Sequence, residues 1–261
     1  MKLPSRFFAA MLLGALVVAG CKQPPPCPEA QKPRPRDSAN LFANGDFELG
    51  RPPWHDRRAP SRDFWHGFDV SETFAYHGRA SAHLSLFAAD TTPREAVSIV
   101  GVIQEARVPS SVDPAKKEEI QVFPETISGH YRIENWKRQV PKQYLQFVVI
   151  LWASDLHPEL PNIQIRYLLA GTPTPPLELT NARYIIVGPA EPQTGAWVSF
   201  ARDLRKDWLE QWGELPHRYE FLRILFEVRY DDGASAPPGP MGDVYFDDLY
   251  LGPAASADRP N

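Results

Sequence analysis

Nine short runs rich in Val, Ile, Phe and Tyr constrain what this chain can become: residues 80–87, 98–106, 129–133, 144–152, 163–169, 183–187, 196–200, 221–230 and 243–251. Each has the length and composition of a strand, and Pro, Gly, Asp or Asn breaks the chain between them. The 28 prolines argue against a helical bundle, because proline inside a helix removes a hydrogen bond and clashes with the preceding turn. One segment alone reads as helical. Asp203 can cap a stretch in which Leu204, Trp208, Leu209 and Trp212 fall near one face, with Gly213 as its stop and Pro216 beyond. Many strands, one short helix and no alternation between the two give an all-β sandwich.

Two segments bracket these runs. Asn44-Gly45-Asp46-Phe47-Glu48 is a turn with glycine at its tip, then a large apolar side chain and a carboxylate. Val244-Tyr245-Phe246-Asp247-Asp248-Leu249-Tyr250-Leu251 is a β-type run carrying paired carboxylates. They read as the first and last strands of one domain over residues 40–253, long enough for a substantial core, with 254–261 as a disordered tail.

Ahead of that domain, residues 1–20 combine a basic start (Lys2, Arg6), an apolar run over 7–19 and small residues before Cys21. This is the layout of a secretory leader; the run is too short and wrongly flanked for a spanning helix. Val18-Ala19-Gly20-Cys21 resembles a bacterial lipobox, which implies cleavage before Cys21 and acylation of its sulfur and of the new amino terminus. Stable anchoring takes more than one acyl chain. Lys22 after the cysteine implies, by the same resemblance, sorting to the outer membrane of a bacterial cell envelope. The alternative is an ordinary leader, with Cys21 and Cys27 forming a small disulfide. Over residues 21–39, Pro24, Pro25, Pro26, Pro28, Pro33 and Pro35 interleave with Lys32, Arg34 and Arg36, the composition of an extended, solvated tether.

The formal net charge is −4, and cleavage of the leader would remove Lys2 and Arg6 as well. Such a balance argues against nucleic acid as partner, since phosphate binding needs a basic face. Two cysteines exclude a disulfide framework and a Cys-rich metal site.

The bracketing segments, together with His77-Gly78-Arg79-Ala80-Ser81 leading into a strand and Trp197 opening a late one, resemble carbohydrate-binding modules with the galactose-binding-like jelly-roll fold. Glycoside hydrolases of the xylanase and cellulase type carry such modules. The resemblance implies a jelly-roll sandwich, a glycan or polysaccharide ligand, and a structural calcium ion pinning the first and last strands together. Transferred by position, its ligands are Glu48 and Asp247, with Asp46 and backbone carbonyls near Gly78 as weaker candidates; calcium takes hard oxygen ligands. The alternative is that these acids accept hydrogen bonds from backbone or face water. The chain is longer than the modules it resembles, with extra residues around 107–142, 171–194 and 203–217.

A sugar-binding face needs aromatic planes and polar groups, and alternation along strands supplies candidates. In 144–152, Leu145, Phe147, Val149 and Leu151 form a core face, and Gln146 and Trp152 lie opposite. In 163–169, Gln164 and Arg166 oppose Ile163, Ile165 and Tyr167. In 221–230, Arg223, Glu227 and Arg229 oppose Leu222, Ile224, Phe226 and Val228. Neighbouring strands would gather Gln146, Trp152, Gln164, Arg166, Arg223, Glu227 and Arg229 on one surface. The plainer reading is a solvated outer face of paired charges.

No Gly-x-Ser-x-Gly elbow, Walker loop or His-Glu-x-x-His helix is present. His55, His66 and His77 recur at even spacing, but in loop-like sequence with no register that would bring them together. The expectation is therefore a non-catalytic, lipid-anchored envelope protein whose jelly roll binds a glycan. Its rivals are a structural or assembly lipoprotein contacting other envelope proteins, and a diverged hydrolase.

Overall fold

Period-two alternation is the rule that builds this molecule: along 221–231 every second side chain is apolar and enters the core, and the others face away. The computed structural model describes residues 38–56, 65–88, 97–113, 115, 117–232 and 239–254. The expected leader, Cys21, Cys27 and the expected tether to residue 37 lie outside the described residues.

In chain order the elements are β1 (Trp65–His66), β2 (Asp69–Ser71), β3 (Ser81–Ala88), β4 (Val97–Ala106), β5 (Ser110–Val112), β6 (Glu119–Gln121) and β7 (Thr126–Glu134). Then come β8 (Lys142–Trp152), β9 (Asn162–Ala170), β10 (Ala182–Ile186), β11 (Trp197–Asp203), α1 (Leu204–Trp212), β12 (Phe221–Asp231) and β13 (Gly239–Gly252). They form a front sheet ordered β1-β4-β12-β8-β9-β10, a back sheet ordered β11-β7-β13-β3-β2, and a separate β5-β6 hairpin. Pairing is antiparallel except for β1 with β4 and β9 with β10. The result is an all-β jelly-roll sandwich, with a strand in each of the nine expected places.

The two sheets meet through aromatic side chains. Phe226 on β12 lies 5.0 Å, ring to ring, from Phe246 on β13, and Phe147 on β8 lies 5.2 Å from Phe200 on β11. Each is almost fully withdrawn from water, worth about 1.5–3 kcal/mol apiece in hydrophobic burial.

Helix α1 starts and stops as its residues dictate. The Asp203 side chain accepts the Lys206 N–H at 2.9 Å, and Gly213 ends the helix at φ 87°, donating to the Leu209 carbonyl. Leu204 and Trp208 are buried as expected, but Leu209 is exposed; Asp207 takes the place on the buried side, gripped by two bonds from Arg202.

The opening motif is a turn, as expected, but opens no first strand. Residues 44–48 form turns, not a strand, with Asn44 and Phe47 both at φ 55°. The motif is nevertheless stitched to the last strand: Leu249 N donates to the Gly45 carbonyl at 2.9 Å, and Leu41 N donates to the Leu251 carbonyl at 2.7 Å. Asn40 adds two side-chain bonds, to Leu249 O and from Leu251 N. Gly45 is required here by close approach, since a Cβ would sit 2.2 Å from Leu249 O. Trp54 plugs the space beneath, packed against Phe42 and Phe47, and donates from Nε1 to the Asn44 carbonyl.

Candidate functional site

The two carboxylates assigned to calcium form a clasp of another kind. Glu48 Oε1 accepts the N–H groups of Arg79 (2.6 Å) and Ala80 (2.8 Å). Asp247 Oδ2 accepts those of Tyr76 (2.6 Å) and His77 (3.0 Å), and its Oδ1 that of Asp248 (2.7 Å). Burial pushes the Asp247 carboxyl up to about 8, against the pull of these three amides. Asp46 turns back on its own loop, with Oδ1 3.5 Å from Glu48 N. Calcium takes six to eight oxygens, whereas Glu48 Oε1 and both Asp247 oxygens here already accept backbone donors. Among the described residues no group of three or more His, Cys, Asp or Glu could hold a metal ion. This arrangement does not fit a calcium cage: the tie between loop and last strand is made by amides.

That clasp positions a loop over the outer face of the back sheet. The loop between β2 and β3 lays Tyr76 flat on His130 (3.4 Å between rings) and sets Phe74 edge-on to Tyr245. Arg132 lies 4.2 Å over the Phe74 ring, and Tyr245 stacks on His83. Trp197 sits edge-on to Tyr76. The evenly spaced histidines part company: His55 faces Glu105, His66 packs on Phe87, and His77 faces Asp248.

The front sheet carries all seven ligand-face candidates on its outer side. Cross-strand register sets Arg229 opposite Tyr144, Glu227 opposite Gln146, Arg223 opposite Ile150, and Phe221 opposite Trp152. On the next pair, Gln164 lies opposite Ile150 and Arg166 opposite Val148. The face divides into three zones. At one end Trp152 stacks on Phe221 with rings 5.5 Å apart, and Arg223 lies over both while its Nε donates to Glu105 at 2.8 Å. Ile103, Val148 and Leu225 form an apolar floor in the middle. At the other end is a polar cluster: Gln146 Nε2 and Arg229 Nη1 donate to Glu227 Oε1, Arg229 Nη2 donates to Asp231 Oδ1, and Tyr144 OH donates to Asp231 Oδ2.

The expectation of a solvated charged face is corrected at this end. Gln146 and Glu227 are fully buried and Arg229 is only 7% exposed. Burial raises the Tyr144 hydroxyl above the usual tyrosine range, and the Glu227 and Asp231 carboxylates outweigh burial to hold Arg229 firmly charged. The cluster is also incomplete. Gln146 Oε1, Glu227 Oε2, Arg229 Nε, Arg166 Nη1 and Tyr184 OH are withdrawn from water with no hydrogen-bond partner among the described residues. Tyr184, on β10, neighbours Arg166 in register and lies within the field of Arg229, Asp231 and Glu227. Gln164 does not join the cluster; it accepts from Arg166 Nε and donates to Asn162.

No protein-family model and no curated protein matches the chain. Among solved structures, it is similar to the N-terminal tandem of family 22 carbohydrate-binding modules from Paenibacillus barcinonensis Xyn10C, at 12% identity and TM-score 0.40. That match covers 82% of this chain and 50% of the other, so this chain spans half the length of the tandem. It is similar also to the C-terminal family 22 module of Clostridium thermocellum Xyn10B, at 12% identity and TM-score 0.38, over 83% of this chain and 96% of that one. A third is the beta-1,2-glucanase from Parabacteroides distasonis, at 18% identity and TM-score 0.37, over 85% of this chain and 26% of that enzyme.

Tyr144, Asp231 and Tyr184 complete the cluster and were not singled out from the sequence. Period two places Tyr144 two residues from Gln146 and Asp231 two from Arg229, so the signal was there for the first two; Tyr184 needed the β9–β10 pairing. A separate feature, an open groove at the start of α1, is lined by Glu125, Arg202, Arg205, Lys206 and Glu210. Its charges pair locally, Arg205 with Glu125 and Lys206 with Glu210, which leaves the front cluster as the better candidate.

Proposed function

We propose that this protein is a non-catalytic glycan-binding lipoprotein of the bacterial cell envelope, and that the outer face of its front sheet holds the sugar. One observation carries the glycan reading: the unmet polar atoms of the buried cluster mix acceptors (Gln146 Oε1, Glu227 Oε2) with donors (Arg229 Nε, Arg166 Nη1) and a hydroxyl that is both (Tyr184 OH). Buried polar atoms require partners. Neighbouring hydroxyls of a sugar offer a donor and an acceptor at each oxygen, which matches a mixed set better than a purely anionic or cationic ligand would. The apolar floor and the Trp152–Phe221 stack suit the C–H faces of the ring.

Anchoring rests on Val18-Ala19-Gly20-Cys21 and the Pro-rich stretch after it. The expected arrangement is acylated Cys21 in the outer membrane with the sandwich held off by the tether. Detergent phase partition of the full chain and of Cys21→Ala tests it: the native chain enters the detergent phase and the variant stays aqueous.

Glycan binding is tested by titrating the full chain against a glycan array and purified envelope polysaccharides. Saturable binding that Glu227→Gln or Arg166→Gln weakens at least tenfold, in variants with near-native melting, supports the reading. A folded chain that binds no glycan refutes it and favours an envelope-assembly role.

A further inference from the structure

Arg166, Arg223 and Arg229 share the outer face of the front sheet but not the same circumstances. Arg223 donates to Glu105 at 2.8 Å, and Arg229 holds both Glu227 and Asp231. Arg166, half-buried on β9, has no carboxylate partner among the described residues. Its Nε donates to the uncharged Gln164 side chain at 2.9 Å, and its Nη1 is withdrawn from water and unmet among the described residues. A guanidinium in a protein cannot shed its proton, and a charge drawn partly out of water is costly unless it is paired.

The neighbouring carboxylates are engaged elsewhere. Arg229 takes Glu227 Oε1 and Asp231 Oδ1, and Tyr144 takes Asp231 Oδ2. Arg166 also stands two strands from Glu227, across β8, about 10 Å at ordinary strand spacing. Between them lies Val148, part of the apolar floor and opposite Arg166 in register. On its other side Arg166 has Tyr184, in register on β10, whose hydroxyl is likewise unmet. A guanidinium N–H beside a hydroxyl is a donor pair suited to a carboxylate.

We infer that, granted the glycan reading above, the sugar this face takes is an acidic one: a uronate whose carboxylate pairs with Arg166 and Tyr184 and whose ring hydroxyls meet Glu227 and Gln146. Such a unit brings an anion and hydroxyls together, so it answers both the unpaired cation and the mixed donors and acceptors of the cluster. A neutral sugar would satisfy Glu227 Oε2 and Gln146 Oε1 but leave the Arg166 charge without a counter-charge. The chain as a whole exerts no general pull on polyanions, since its formal net charge is −4. Tighter binding of an acidic polymer therefore reports the site.

The test compares each polysaccharide with its own neutral form. Polygalacturonate, alginate and hyaluronate are carboxyl-reduced, which turns each carboxylate into a primary alcohol and leaves the linkages alike. Both forms are titrated against the full chain by isothermal calorimetry, with neutral polysaccharides beside them. The inference requires at least one acidic form to bind at least tenfold more tightly than its reduced counterpart. Arg166→Gln should bring that ratio to within twofold of unity, whereas Trp152→Ala, at the stacking end, should weaken both forms and keep the ratio. Equal or tighter binding of the reduced forms, or a ratio that a folded Arg166→Gln variant leaves intact, overturns the inference and leaves the glycan reading standing. Absence of binding to every form, acidic, reduced or neutral, overturns both.

Discussion

The Asp247 carboxylate, on the last strand, accepts the backbone N–H of Tyr76 at 2.6 Å across 171 residues of sequence. That bond and its neighbours hold the loop bearing Phe74 and Tyr76 against the back sheet. Asp247→Ala would strip three N–H groups, one buried and two partly buried, of their acceptor, at about 1–3 kcal/mol for the buried one and less for the others. Urea denaturation should show a loss of about 3 kcal/mol or more, and quenched fluorescence changes near Trp197 should report release of Tyr76.

The same residue sets a pH dependence. Burial raises the Asp247 carboxyl from 3.8 to about 8, so between these values the folded state holds a proton that the unfolded state has released. Stability from this group is therefore full below about pH 4 and declines as pH rises towards 8. Asp243 acts in the opposite sense: burial pushes it up, but bonds from Asn135, His83 and Ser85 outweigh this and hold it below its ordinary value. Its contribution is present above that ordinary value and is lost as acid protonates it. Melting temperature against pH should fall at both limbs, and Asp247→Asn should flatten only the limb above pH 4.

Gly45 should tolerate no side chain, because a Cβ there lies 2.2 Å from Leu249 O. Gly45→Ala should cost about 1–3 kcal/mol and increase amide exchange at Leu249 and Leu251. Gly50→Ala is the control: nothing lies within 4 Å of its Cβ, so only the strain of φ 82°, about 1–2 kcal/mol, should appear, without faster exchange in β13.

Arg229 binds two buried carboxylates, Glu227 and Asp231. Arg229→Met leaves both without their cation, a loss of about 3–5 kcal/mol measurable by denaturant unfolding. Glu227→Gln keeps an acceptor for Gln146 and should cost less than half as much.

If amides alone make the clasp, chelation should leave the fold untouched. Melting of the full chain in 5 mM calcium and in 5 mM EDTA is expected to agree within about 2 °C, given the acceptors already committed at Glu48 and Asp247. A larger stabilisation by calcium would place an ion at the clasp.

Much of the sandwich was readable because one alternate set along β12, β8 and β9 is apolar throughout, and positions such as Phe147 and Phe226 could only face a core. The short strands β5 and β6 flank the charged residues Lys117 and Glu118 and carry no apolar period, so nothing marked them. Residues 44–48 read as a turn belonging to a first strand; the turn is there, but the close approach at Gly45 and positive φ at Asn44 and Phe47 leave no strand with it. The outer face was legible in membership and illegible in depth. Gln146, Glu227 and Arg229 sit at alternate positions that ordinarily face water, and only the tertiary structure shows them buried and partly unmet.

If the chain is anchored as proposed, the stitching of Asn40 and Leu41 to Leu249 and Leu251 has a mechanical meaning. Tension arriving through the segment before residue 40 would load those few bonds first. They would yield one after another, like a seam opened from its end, while Phe226 and Phe246 behind them stayed packed. Under the proposed anchoring and glycan capture, a protein pulled between anchor and polymer would thus lengthen at its margin before it lost its grip, and could reseal when the load passed.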